Sequence, residues 1–238
     1  MSEKLIIDKN LKQQWDDYSP ILPFENIRIV FSNKKTGITD ANSLIGFSKL
    51  VNLDSRKLTT IHQIHSSDIL IVESPGSYGS ADGMINKGGN LVCSIKVADC
   101  VPIFFINNKS KTIGLVHAGW RGISSGIIAQ FGNSIKACNE NASDFYVLIG
   151  PSIQSCCFEI MDDVLDHFDS KFYTSINTNK YRVDLQAWIV DQLIKFGFNK
   201  EKIINVNKCT YCLDALYHSY RRDGSNAGRM YALAGWLN

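Results

Sequence analysis

The sequence predicts an α+β protein built on mixed β-sheets, and three observations lead there. Short β-like runs crowd the first half of the chain: Ile27–Ser32, Asp68–Glu73, then 82–85, 91–97, 101–106 and 112–116 in close succession. The period changes after Gly122, where Ile123, Ile127, Ile128, Phe131 and Ile135 fall on one helical stripe. Strands and helices do not alternate strictly, which disfavours a doubly wound sheet. Neither GxGxxG nor GxxxxGK[ST] occurs, so no dinucleotide fold or P-loop is supported.

Taken in order, residues 1–24 are polar and read as a peripheral arm, and Lys34–Gly37 as a turn. Leu58–His65 alternates imperfectly, and Ser74–Gly79 is a loop by its Gly and Pro content. Tyr146–Ile149 is a strand stopped by Gly150-Pro151, and Asp163–Phe172 a short helix. Val183–Phe196 is a second clear helix, carrying Leu185, Trp188, Ile189, Gln192, Leu193 and Phe196 at helical spacing before Gly197. Lys202–Val206 is a strand, Leu213–Tyr220 a helical or turn segment, and Arg229–Trp236 the last strand. No repeat or linker interrupts the chain, so residues 1–238 read as one domain.

With 238 residues, 45% of them hydrophobic, the chain can bury a large core. A formal charge of +2 gives no reason to expect nucleic acid or an acidic membrane surface. The N-terminus lacks the basic-then-apolar order of a signal peptide, and no apolar run approaches the roughly 18 residues of a membrane span. The expectation is a soluble cytoplasmic protein, a monomer or small homo-oligomer, acting on small molecules. Seven cysteines without a secretory signal fit reduced thiols or metal ligands better than disulfides.

The chemistry concentrates between Leu91 and Gly122. Two apolar runs there end in polar corners, one carrying Cys100 after Ala98-Asp99, the other His117 before Ala118-Gly119-Trp120-Arg121-Gly122. His65 follows Gln63-Ile64 upstream. Two imidazoles and a thiolate make an open zinc site of the catalytic kind, so His65, Cys100 and His117 are read as ligands of one zinc ion. Taken singly, each reads more readily as an ordinary core or surface side chain; their shared position at the edges of β segments argues for the site. The other candidates compete less well. Cys93 reads as core, Cys138 sits near a helix end, and the side chains of adjacent Cys156 and Cys157 diverge in any regular structure. Cys209 and Cys212 make half a zinc-ribbon pair with no second CxxC. His62 falls on the opposite face from His65 if the segment is a strand, and His167 and His218 read as structural.

Arg121 opens the helix after the His117 corner, where an anion is favoured, and Trp120 offers a flat face for a base or sugar. Tyr220-Arg221-Arg222-Asp223-Gly224 and Gly228-Arg229-Met230 read either as a solvated turn or as a phosphate or carboxylate clamp.

The set QIH, ADCVPI, HAGWRG, IGPSIQSCCFEI and SYRRDGSNAGRM, in this order from about His62 to Trp236, resembles the laccase-domain (YfiH-like, multicopper polyphenol oxidoreductase-like) family. Asn226-Ala227 before Gly228 is a small departure that bears on loop detail. The resemblance implies a four-layer α/β/β/α sandwich with mixed sheets, of the cysteine-hydrolase-like kind, and zinc on His65, Cys100 and His117. It also implies purine nucleoside phosphorylase activity on adenosine, inosine and methylthioadenosine, with adenosine deamination beside it. Polyphenol oxidation and the editing of peptidoglycan precursors are attached to the family as alternatives.

On that reading Arg121 and Arg222 are candidates for phosphate, Asp99 and Asp223 for proton carriage or orientation, Gln63 for the base, and Trp120 for stacking. Copper can replace zinc on such ligands, but a multicopper centre needs many histidines and the chain has five. A metal-free Cys100–His117 thiol hydrolase and a non-catalytic scaffold are the remaining rivals.

Overall fold

The runs at 101–107 and 112–118 are buried at every position, so the sheet they belong to is covered on both faces. The computed structural model describes residues 14–237. Its first strands are β1 (Trp15–Asp17), β2 (Ile27–Ser32), β3 (Leu58–His62), β4 (Ile69–Ile71) and β5 (Gly76–Ser80). Next come β6 (Gly83–Asn86), β7 (Val92–Val97), β8 (Val101–Asn107), β9 (Thr112–Ala118) and β10 (Tyr146–Ile149). The last are β11 (Glu159–Met161), β12 (Tyr173–Asn177), β13 (Lys180–Val183), β14 (Ile203–Asn205) and β15 (Met230–Trp236). The helices are α1 (Ala41–Leu50), α2 (Trp120–Ser124), α3 (Ile127–Ala137), α4 (Leu185–Phe196) and α5 (Tyr220–Asp223).

Two six-stranded mixed sheets result, ordered β1-β2-β15-β7-β3-β5 and β14-β10-β8-β9-β6-β4, with a small β11-β13-β12 sheet beside them. Alternation along single strands fixes the layers. Phe104 and Ile106 of β8 meet Ile29, Phe31, Cys93, Ile95 and Ala232 of the first sheet in a core between the sheets. Their neighbours Val101, Ile103 and Phe105 point the other way, onto Ile127, Phe131, Ile189 and Leu193 of α3 and α4. On the far side of the first sheet, Val30, Val92 and Leu233 take Leu44 and Phe47 of α1. The order of layers is therefore helix, sheet, sheet, helix, as the resemblance implied.

Several local expectations change. Helix α1 was not anticipated; Asp40 caps it, accepting the Ser43 N–H at 2.8 Å. The stretch read as a loop at 74–79 contains β5, an edge strand paired in parallel with β3. The expected helix from Ile123 is two helices, broken at Gly126, whose φ is 83°. The expected helix at 163–172 is a pair of 3-10 turns, 162–167 and 170–172. Of the expected arm, residues 1–13 lie outside the described residues, while β1 extends the first sheet and Tyr18 and Leu22 are buried.

Phe105 and Phe131 stack at 3.8 Å between centroids directly over Gly114 of β9. A Cβ there would stand 2.3 Å from the Phe131 ring, which is fully buried and cannot yield. Alanine ordinarily gains roughly 0.5–1 kcal/mol over glycine inside a strand. Here overpacking, about 1–3 kcal/mol, outweighs that gain. Gly114→Ala is expected to lower the urea midpoint; an unchanged or raised midpoint would contradict this packing.

Candidate metal centre

Cys100 and His117 meet because they flank the open end of one hairpin. β8 and β9 pair with Val101 opposite Ala118 and Pro102 opposite His117, so the chain runs out one strand and back along the next. His65 arrives from the other sheet, on the loop that leaves β3, with φ 61°, a region few non-glycine residues adopt.

Asp82, at the mouth of β6 and without exposed surface, holds that loop in place. Its carboxylate accepts the N–H groups of Ile64 at 3.2 Å, His65 at 3.0 Å and Ser66 at 2.6 Å. It also accepts from Nδ1 of His117 at 2.7 Å. Burial pushes the Asp82 carboxyl up, but these donors outweigh it and hold the group below the usual carboxylate range. With Nδ1 of His117 committed, Nε2 is the ring nitrogen left free to bind a metal.

The donor atoms of His65, Cys100 and His117 lie within 4.8 Å of one another, and the two imidazole rings are 4.9 Å apart. Two imidazoles and a thiol suit zinc or copper, and three donors leave a coordination position open. His65 is exposed and His117 buried, so the centre opens to solvent on the His65 side. Gly119 keeps the room: a Cβ there would come within 3.0 Å of the His65 ring and 3.1 Å of the Cys100 sulfur. Burial alone would raise the Cys100 thiol; the imidazoles of His117 and His65 bring it down to about 6. Burial would lower His117, but the Cys100 sulfur and Asp82 carry it up to about 9.

Other residues singled out in the sequence are placed differently. Gln63 spends its amide on the backbone of Lys96, donating at 2.7 Å and accepting at 2.9 Å, and so extends the β3–β7 pairing instead of facing a base. The Asp99 carboxylate is taken by Thr210 Oγ1 at 2.6 Å, Ser219 Oγ at 2.9 Å and the Arg221 N–H at 2.7 Å, which makes it an anchor, not a proton carrier. Arg222 forks onto Asp223 with two bonds of 2.8 Å and donates to the carbonyls of Thr210, Tyr211 and Tyr217. The expected clamp at Arg222 and Asp223 is thus a turn tie, with its donors used inside the fold. Arg121 is different: it is exposed, lies over the Trp120 ring at 4.4 Å, and forms no ion pair among the described residues. Trp120 has that face covered, and packs against Phe168 at 5.5 Å.

Asp82 is the residue that sequence reading missed. Its signal was an acid opening an otherwise apolar strand, a place where a solvated carboxylate has no reason to be. Asp82→Asn is expected to weaken zinc binding roughly tenfold to a hundredfold in chelator competition, and unchanged affinity would remove Asp82 from the centre. The pH dependence follows from the same groups. Between about pH 6 and 9 the metal-free centre carries a proton on His117 and none on Cys100. Zinc must displace that proton, so affinity falls about tenfold per unit as pH drops through this window. Calorimetry in buffers of different ionisation enthalpy reads the released proton directly; zero release at pH 7.5 would refute the assignment.

Residues 39–237 match the family model described as multi-copper polyphenol oxidoreductase laccase. Purine nucleoside phosphorylase YlmD of Geobacillus stearothermophilus is 31% identical over 73% of this chain and 70% of that protein. A purine nucleoside phosphorylase of Clostridium acetobutylicum is 30% identical over 91% of this chain and 95% of its own length. Among solved structures, YlmD from Geobacillus stearothermophilus superposes with TM-score 0.87 at 24% identity, covering 95% of this chain and 97% of that one. The Bacillus licheniformis protein YfiH gives TM-score 0.80 at 25% identity over 88% and 92% of the two chains. With its signature motifs, its four layers and this extent of similarity, the chain belongs to the laccase-domain family described as multi-copper polyphenol oxidoreductase laccase.

Proposed function

We propose that the protein is a zinc-dependent purine nucleoside phosphorylase, converting adenosine, inosine or methylthioadenosine and phosphate into the free base and a ribose 1-phosphate. Adenosine deamination is a side activity of the same centre. The carrying observation is the convergence of His65, Cys100 and His117 around a point that opens to solvent. Relatives named purine nucleoside phosphorylase support the reaction class. Among the described residues no helix is long and apolar enough to cross a membrane, and we place the reaction in the cytoplasm, in a monomer or small homo-oligomer.

A divalent cation on these three side chains supplies positive charge beside the reacting groups. The protein's own contribution is orientation and charge. Asp82 holds His117 in one tautomer and pins the His65 loop by three N–H bonds. Arg121, unpaired by any carboxylate among the described residues, is the guanidinium that receives phosphate. In the reaction a phosphate oxygen bonds to the anomeric carbon as the bond from that carbon to the purine nitrogen breaks. The electron pair leaves with the base, which takes up a proton.

The multicopper reading fits this chain poorly. Among the described residues the histidines other than His65 and His117 join no cluster of three or more metal-grade ligands, so no trinuclear set can form. Copper in place of zinc on the three ligands is chemically compatible and is decided by metal analysis.

The test is to incubate metal-quantified protein with adenosine, with and without phosphate, and separate the products. Adenine and ribose 1-phosphate, formed only with phosphate, are expected, and are lost in Cys100→Ala. Inosine alone, or turnover that survives the loss of metal, would overturn the reading. Arg121→Ala is expected to raise the KM for phosphate roughly tenfold to a hundredfold with little change for the nucleoside, the loss of one charged hydrogen-bonding partner.

A further inference from the structure

Of seven cysteines, Cys100 belongs to the centre above and Cys93 is buried between the sheets. Four of the others come together elsewhere. Cys156 and Cys157 follow β10 in a tight turn, where the N–H groups of Cys157 and Phe158 both donate to the Gln154 carbonyl at 2.9 Å. This turn is not regular structure, so neighbouring side chains reach the same side. The expectation that these two diverge fails for that reason. Cys209 and Cys212 lie on a second turn, closed by the Leu213 N–H on the Cys209 carbonyl at 3.0 Å. An isolated parallel bridge, Ser152 opposite Cys209, joins the two segments through bonds of 3.1 Å on either side. All four Sγ atoms lie within 4.8 Å of one another, with Cys156–Cys212 at 3.7 Å and Cys157–Cys212 at 3.2 Å.

We propose that Cys156, Cys157, Cys209 and Cys212 form a second metal site, an all-sulfur tetrahedral cradle for a thiophilic divalent cation such as zinc, stapling the 152–158 loop to the 209–213 turn.

Bonds of about 2.3 Å to a tetrahedral zinc put the sulfurs about 3.8 Å apart, in the range seen here. A disulfide would use two of the sulfurs at about 2.05 Å and leave the other pair without a role. Without a cation, burial and the neighbouring sulfurs push the Cys156 and Cys157 thiols up, while backbone N–H groups of Cys212 and Gln154 point at the Cys209 sulfur and, against burial, hold that thiol below its usual range. The Arg222 guanidinium rests on the carbonyls of Thr210 and Tyr211 and so braces the turn that carries Cys209 and Cys212. Four protein ligands close the coordination shell, so the site is structural. Both turns also bond to the residue before Cys100: Ile153 N–H donates to the Asp99 carbonyl at 3.0 Å and Thr210 Oγ1 to its carboxylate at 2.6 Å. The staple therefore sits behind the wall that carries one ligand of the first centre.

The experiment is metal analysis of the full chain, prepared anaerobically with reductant, alongside Cys100→Ala and a Cys209→Ser, Cys212→Ser double variant. The wild type is expected to carry two equivalents of divalent metal. Cys100→Ala is expected to keep one, which on exchange for cobalt gives the intense absorption of a tetrahedral thiolate complex. The double variant is expected to keep only the equivalent that depends on Cys100. A single equivalent in the wild type that is lost in Cys100→Ala, or Cys100→Ala protein with its remaining thiols free that takes up no zinc, iron or cobalt, would overturn the proposal. So would a Cys157–Cys212 disulfide in freshly isolated wild type. Cys100→Ala leaves all four sulfurs in place, so the outcome does not depend on whether the double variant folds.

Discussion

Asp82 has no exposed surface, and its carboxylate is nonetheless held in the charged form by four N–H donors. A buried carboxylate without partners would be costly, so the surrounding chain is constrained to deliver them. Three come from the loop that leaves β3, in one sheet; the fourth is the His117 ring on β9, in the other. One carboxylate thereby sets the height of a loop and the tautomer of an imidazole across the seam of the sandwich. The left-handed backbone at His65 persists because its N–H is spent on this group.

Asp99 does comparable work one residue before Cys100. It gathers Thr210, Ser219 and the start of α5, which brings the C-terminal part of the chain against the hairpin. Arg222 then locks the turn from the opposite side. Charged residues that look catalytic in a linear sequence are here the scaffold of a small reactive centre. Of the residues singled out, those left with chemistry to offer are the candidate ligands His65, Cys100 and His117, and Arg121, which forms no ion pair among the described residues.

Much of this was legible in the sequence, for identifiable reasons. Strands β2, β8, β9 and β15 announced themselves by long apolar runs, because strands covered on both faces need them. The three candidate ligands stood out because Cys100 and His117 closed such runs and His65 sat at the edge of another β segment. Helix α1 escaped because its apolar face is narrow, Leu44 and Phe47 alone being its buried large residues. Strand β5 escaped because Gly76, Ser77, Gly79 and Ser80 have the composition of a loop, and only pairing with β3 makes them a strand. The direction of polar side chains was beyond reach. Gln63, Asp99 and Arg222 have residue types suited to substrate, and only tertiary placement reveals that other groups of the fold claim them first.

The borders of the two large sheets are unusually blunt. β1, β4 and β14 are three residues each, and β5, the remaining border, is GSYGS. Such margins offer a short ladder of free backbone groups and little apolar surface to a strand from another molecule. Growth of the sheets from chain to chain, the route toward fibrous aggregation, is discouraged at all four margins formed by the described residues. Association between copies through the edges of these two sheets is thereby disfavoured relative to association through faces, helices or loops.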